Sequence, residues 1–203
     1  MLLILKVKYK MRMTSSLNEG GTAVFRPSNK ELVFYILSLE AMMKTYLVKQ
    51  KFRLGGERFD IKDEQGNVDY QVEGSFFQIP KTFTIYDTQG RTVSQITKPF
   101  LTFLPRFEIR LNNGESFYIR KKLTFFRDKY EFDNLGLRVE GNIWDLDFRL
   151  LDDRDRVIAE ITTKLFHLTS TYQVIIYEEE YADLVISLCV AIDYVEMLES
   201  SSS

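Results

Sequence analysis

The side chains with the widest chemical reach in this 203-residue chain are its single histidine, His167, and its single cysteine, Cys189. A Cys–His pair supplies a nucleophile and its base, and either residue can ligate zinc. Both have apolar neighbours: His167 lies in Leu165-Phe166-His167-Leu168, and Cys189 between Leu188 and Val190. Such settings read as a half-buried strand histidine and a small core residue. With one of each, neither nucleophilic catalysis nor a zinc site is expected. Asp145 and Asp147 flank Leu146, the spacing of one strand face, where two carboxylates could pair as acid and base. A solvated strand carries the same pair without catalysis. Asp152-Asp153-Arg154-Asp155 lacks the alternating ligands, the glycine and the closing glutamate of an EF-hand loop, so it reads as an Asp-rich tight turn. No Walker or G-x-G-x-x-G loop is present to cradle a phosphate. The expectation is a protein without catalytic residues, metal or cofactor.

Cations are the more concentrated signal. Between Arg106 and Lys129 lie seven basic residues against Glu108, Glu115 and Asp128. If Arg110 faces Ser116 across a hairpin, then Arg106, Arg110, Arg120 and Lys122 share one face, with Tyr118 among them. The planar guanidinium fork suits phosphate, and each cation near an anionic membrane contributes roughly 1 kcal/mol. This face is the candidate site for anionic lipid headgroups or a membrane surface. The rival assignment is a protein-interaction or structural domain whose partner is another chain, with the charges serving solubility. A formal net charge of −2 argues against nucleic acid as a partner.

Those side chains need elements to hold them, and the sequence repeats one element. Phe59-Asp60-Ile61-Lys62-Asp63-Glu64-Gln65-Gly66 returns as Phe83-Thr84-Ile85-Tyr86-Asp87-Thr88-Gln89-Gly90 and as Phe107-Glu108-Ile109-Arg110-Leu111-Asn112-Asn113-Gly114. A looser copy runs from Tyr130 to Gly136, and a fifth, Phe148 to Asp155, puts Asp where Gly stood. The four glycines are spaced by 24, 24 and 22 residues. Alternating Phe/Ile and polar residues make a half-buried strand, and the glycine suits a left-handed turn position. Each copy then continues into a second alternating run, so the unit is a hairpin. In the third copy, Ile109 is expected to face Phe117, and Phe107 to face Ile119, across an odd-length loop. Ile61 and Val68 do not share that parity, which predicts a different loop length in the first copy.

Thr171–Tyr177 reads as a last strand. From Leu184 to Ile192 only Ser187 is not apolar, a run longer than a usual strand and therefore read as helix over Tyr181–Val195. Fifteen residues span about 22 Å, short of a bilayer core, and Asp183 and Asp193 bracket the run. A helix apolar all round must be enclosed. The predicted fold is mainly β: a closed antiparallel barrel of about twelve strands from Tyr46 onward, threaded by this helix. Phe59, Phe83, Phe107, Phe117 and Phe148 then point inward, and Trp144 packs in the barrel.

The repeats of the type Phe83-x-Ile85-x-Asp87-x-x-Gly90, together with a terminal helix carrying Ala191-Ile192-Asp193-Tyr194, resemble the LURP-one-related family. Tyr46-Leu47-Val48-Lys49-Gln50-Lys51 is similar to that family's first strand. The resemblance covers roughly Met43–Glu196. It implies the tubby C-terminal-like fold shared with tubby proteins and phospholipid scramblases, a twelve-stranded barrel around a central helix. Among these relatives, plant members are linked to defence responses, tubby proteins bind phosphoinositides, and scramblases act on membranes with calcium. No tubby lipid-binding residues and no scramblase calcium segment match this chain. The implied role is a non-enzymatic intracellular binding module, with scramblase-like membrane activity the more distant implication.

Ahead of the repeats the sequence has another character. Met1–Leu5 precedes its basic residues Lys6, Lys8, Lys10 and Arg12, the reverse of a signal peptide. Leu32–Leu39 lies between Glu31 and Glu40 without a small-residue cleavage site. The expected location is the cytoplasm, peripheral to the membrane if the basic face binds lipid. Thr14–Asn29 shows no period. One codon choice for Leu39-Glu40-Ala41 spells a ribosome-binding sequence just before Met42-Met43, so Met42 or Met43 is the expected start. The expected organisation is residues 1–42 as a disordered or artefactual extension, 43–198 as the barrel and 199–203 as a disordered tail. From residue 43 onward 21 basic residues face 26 acidic ones, about −5 net.

Overall fold

The chain divides into two units, Met1–Met43 and Lys44–Ser203. The computed structural model describes residues 15–17, 23–25, 30 and 43 of the first. Of the second it describes residues 44–49, 58–75, 81–99, 106–122, 129–143, 145–163 and 171–200. In the first unit β1 (Ser15–Leu17) pairs antiparallel with β2 (Ala23–Phe25), Ser16 opposite Val24. His167 and Trp144 lie outside the described residues.

The second unit is twelve strands and a helix. The strands are β3 (Lys44–Lys49), β4 (Arg58–Asp63), β5 (Val68–Gly74), β6 (Thr82–Asp87), β7 (Thr92–Thr97), β8 (Arg106–Leu111) and β9 (Ser116–Lys122). They continue as β10 (Lys129–Asp133), β11 (Arg138–Asn142), β12 (Asp147–Leu151), β13 (Val157–Thr162) and β14 (Thr171–Ile176). A 3-10 turn, Glu179–Tyr181, leads into α1 (Ala182–Ser200). All twelve strands form one antiparallel sheet in the order β10-β9-β8-β7-β6-β5-β4-β3-β14-β13-β12-β11. Each strand pairs with its sequence neighbour except at two places. β3 pairs with β14, Tyr46 opposite Val174, while β10 and β11 end the order.

Period-two patterning explains the pairing. In β4, β6 and β8 the Phe and Ile positions are buried and their neighbours are not. Phe59, Phe83, Phe107, Phe117 and Phe148 are all 5% exposed or less, as expected of inward positions. Four hairpins close with the same turn. Asp63, Asp87, Leu111 and Asp152 each donate their N–H to the carbonyl four residues on, at 2.8–3.0 Å. The left-handed position falls at Gly66, Gly90, Gly114 and, in the fifth copy, Asp155 (φ 59°).

The loops are therefore equal in length, contrary to the sequence expectation for the first copy. Its parity shift comes instead from a bulge. The register slips between Ile61 and Lys62, between Ile85 and Tyr86, and between Leu150 and Leu151, whereas β8–β9 runs without a slip. One extra residue on the returning strand flips the alternation without any change of turn. The loose fourth copy also departs from expectation: β10 and β11 do not pair as a hairpin among the described residues. Asn134 (φ 58°) and Gly136 (φ 71°) are both left-handed, and Leu135 between them is buried rather than exposed at a turn tip. The expected barrel is thus matched as a twelve-stranded sheet with a terminal helix, and no closing β10–β11 ladder is among the described pairings.

α1 lies in the core. From Val185 to Val195 every residue is at most 4% exposed. A helix covered on all sides needs a sheet that curls around it. Tyr194 packs against Phe83 and Phe107, with ring centroids 4.5 and 5.5 Å away, both edge-on. The helix outruns its predicted end at Val195 by more than a turn. Among the described residues no helix is long and apolar enough to cross a membrane.

Candidate anion-binding face

The β8–β9 ladder sets the geometry of the candidate site. Its register is the one the alternation predicts: Arg110 opposite Ser116, Ile109 opposite Phe117, Phe107 opposite Ile119. Parity then places Arg106, Glu108 and Arg110 of β8 beside Tyr118 and Arg120 of β9 on the outer face. Arg106 stands directly opposite Arg120. Across the next ladder Lys122 stands opposite Lys129, Arg120 opposite Glu131, and Tyr118 opposite Asp133. Like charges directly opposed across strands are unfavourable, and here two such pairs follow one another. The side chains of Lys122 and Lys129 lie outside the described residues, so Lys122 is placed only by register.

The three arginines differ in their partners. The Arg106 guanidinium lies over the Tyr118 ring, 3.8 Å from its centroid, a cation–π contact. Its Nε is buried and meets no hydrogen-bond acceptor among the described residues. Arg110 donates to Glu108 at 3.0 Å. Arg120 grips Asp133 with two bonds, Nε to Oδ2 at 2.5 Å and Nη2 to Oδ1 at 2.8 Å. Sequence spacing brings these cations onto one face but gives no hint of Asp133, which enters from a third strand.

The acid-base candidates fare differently. Asp145 sits in the turn before β12 and accepts from Asn142 Nδ2 at 2.5 Å, while Asp147 opens the strand. Leu146 between them is left-handed (φ 50°) and buried. The two carboxylates therefore do not share one strand face, because the strand begins only at Asp147. Cys189 is fully buried in α1, and burial pushes its thiol above the usual range, which removes the thiolate. Asp152 is tied into its turn by the N–H groups of Arg154 and Arg156 (2.9 Å each) and by the Arg156 guanidinium. Among the described residues no group of three His, Cys, Asp or Glu is arranged to hold a metal.

Acids that sequence reading took as brackets of the helix prove to be hydrogen-bond acceptors, Asp193 buried and Asp183 exposed. Tyr70 donates to Asp183 at 3.0 Å and Tyr172 to Asp193 at 2.9 Å, while Tyr46 donates to Asp69 on the β5 bulge at 3.1 Å. Burial, reinforced by nearby groups that include the partner carboxylate, raises all three phenols above their ordinary range and keeps them donors. The Ser94 and Ser187 hydroxyls, both buried, meet at 2.6 Å. An aspartate inside an otherwise apolar helix was the available sequence signal. Near the first turn of α1 a cavity of about 350 Å³ is lined by Val93, Leu111, Leu184, Asn113, Glu115 and Asp183 among others. Glu115 and Asp183 already accept from Asn113 and Tyr70, and acids suit a helix N-terminus.

A family model described as LURP-one-related matches residues 43–193. The chain belongs to the LURP-one-related family. Within reach of sequence comparison, it is 26% identical over 148 residues to the uncharacterised protein YxjI of Bacillus subtilis (strain 168). That match covers 73% of this chain and 91% of that protein. The X-ray structure of a protein from Arabidopsis thaliana superposes with a TM-score of 0.53 at 17% identity, covering 76% of this chain and 91% of that one. At that identity the likeness speaks for the fold alone. The LURP-one-related match begins one residue before β3 and ends in α1 at Asp193.

Proposed function

We propose that this LURP-one-related chain is a non-enzymatic binding module that engages anionic headgroups at a membrane surface through the outer face of β8, β9 and β10. The supporting observation is Arg106. Its guanidinium lies over the Tyr118 ring, half-buried, with a covered Nε that has no acceptor among the described residues, and it stands opposite a second arginine. An anion set between Arg106 and Arg120 relieves both the like-charge pairing and the desolvated donor. The described carboxylates singled out as acid or base are engaged elsewhere, which favours binding over catalysis. In this reading the sheet closes as a barrel with its seam at β10–β11. The module works from the cytoplasm, peripheral to the membrane.

Vesicle co-sedimentation tests the proposal. Phosphatidylcholine vesicles containing phosphatidylserine should retain the wild type more than the variant with Arg106, Arg110, Arg120 and Lys122 all changed to Ser. Retention should also fall as salt rises. Equal retention of the two proteins disposes of the face.

A second reading, a protein-interaction domain, draws on the ends of the sheet. Among the described residues no ladder covers the outer side of β10 or β11, and an extended partner segment can add there. Pull-down from native lysate, repeated with Pro in place of Val139 on β11, separates this reading from the first.

A further inference from the structure

Asp133 and Glu108 stand where a bound anion would stand. Arg120 offers its planar fork, Nε and Nη2, and both positions are taken by the two oxygens of Asp133. Arg110 is likewise engaged, through Nη2, by Glu108 on its own strand. Both carboxylates are partly exposed, at 35% and 27% of their side chains, so an incoming oxyanion can reach and replace them. Of the three described arginines on the face, Arg106 is the one whose recorded partner is a ring rather than a carboxylate.

Resting on the headgroup reading above, we propose that Asp133 is an internal competitor that holds Arg120 out of use until an oxyanion displaces it. The ligand first meets Arg106, which the Tyr118 ring holds in place, and then exchanges with Asp133 at the Arg120 fork. Carboxylate and phosphate accept the same pair of parallel N–H bonds, so the exchange conserves hydrogen bonds while charge shifts to the ligand. Asp133 then sets the affinity of the face. A weakly anionic surface fails to displace it, and a dense or doubly charged phosphate succeeds. The shared chemistry is an oxyanion with two coplanar acceptor oxygens, whether a lipid headgroup or free phosphate.

The test compares wild type, D133N, D133N/R120Q and D60N on vesicles of phosphatidylcholine alone, with phosphatidylserine, or with phosphatidic acid. Asp60 is exposed on β4, so D60N makes the same change of net charge away from the face. D133N should partition about fivefold more tightly onto the anionic vesicles, the factor one additional cation near such a surface supplies. D133N/R120Q should lose that gain, and D60N should not show it. Inorganic phosphate at matched ionic strength should compete if the site takes the phosphate group itself. Its failure to compete assigns the site to the membrane-borne headgroup, with the Asp133 latch intact. A wild type that binds while D133N binds no better, or a D60N gain equal to that of D133N, overturns the latch alone. If neither wild type nor D133N is retained on any vesicle, the headgroup reading falls and the latch with it. Unchanged thermal melting of D133N excludes misfolding as the cause of any difference.

Discussion

Turned over, the β8–β9 hairpin obeys different rules on its two faces. Inside, Phe107, Ile109, Phe117 and Ile119 are each at most 2% exposed and belong to the same core cluster as α1, with Phe107 packed on Tyr194 of the helix. Outside, the residues between them are charged or aromatic, and two arginines stand opposite each other. The inner face is shaped by apolar area, where each substitution leaves a void that close packing cannot refill. The outer face tolerates an unfavourable pairing because Asp133 neutralises one of the two arginines. Stability is settled inside, which leaves the outer face free to carry recognition.

The sharpest way to break this division is to hollow the inside. Phe107→Ala should lower folding stability by about 3–5 kcal/mol, measured by urea unfolding, because the ring that meets Tyr194 is lost. A loss below about 1 kcal/mol would mean that the helix is not tightly clasped. Next in size are the interior polar contacts. Tyr172→Phe removes the donor that Asp193 accepts inside the core, and about 1.5–3 kcal/mol should go with it.

The turns, at the boundary between the faces, come third. Gly114 has φ 90° with open space around it, so Gly114→Ala should cost about 1 kcal/mol from backbone strain alone. Asp155→Gly at the equivalent turn position should change stability by less than about 0.5 kcal/mol, since Asp tolerates the left-handed region.

Acid probes the same turns. Hydrogen bonds from Asn67 hold Asp63 below its ordinary value, and those from Arg91 do the same for Asp87. For Asp152, partial burial pushes upward, but the N–H groups and guanidinium of Arg156 and the N–H of Arg154 outweigh it. Folded values below the unfolded ones mean the folded chain binds fewer protons. Their stabilisation is complete above about pH 4 and is lost as pH falls through the folded values. Urea midpoints should therefore drop on acidification below that point, and less steeply in a D63N/D87N/D152N variant. Smallest of all is the effect of Arg106→Ser on unfolding, expected below about 0.5 kcal/mol while vesicle retention changes.

What sequence reading captured follows from what period two can carry. The inner Phe and Ile positions, the β8–β9 register and the turn glycines all follow from alternation and backbone sterics, which are local. The bulges do not. An extra residue at Asp69, Val93 or Ile158 leaves no signature in composition, and the parity change at Val68 therefore reads as a different loop length. The Asp133–Arg120 bond and the Tyr–Asp pairs depend on which strands become neighbours, and sequence spacing holds no such information. Asp145 and Asp147 misled for the opposite reason: their spacing is that of a strand, but Leu146 is left-handed and the strand starts after it.

One pairing has a consequence for how the protein is made. β3, the first strand of the sheet, is completed by β14, so Lys49 waits for Thr171. α1, against which the inner faces pack, comes later still. Hairpins such as β4–β5 and β6–β7 can form as they leave the ribosome, for their contacts are local. Until the last fifth of the chain emerges, their apolar faces have nothing to close on. Synthesis therefore runs for most of its length with the core open. A stop codon anywhere before α1 releases a sheet whose apolar face is uncovered, and the C-terminal helix decides whether the rest of the translation was worth completing.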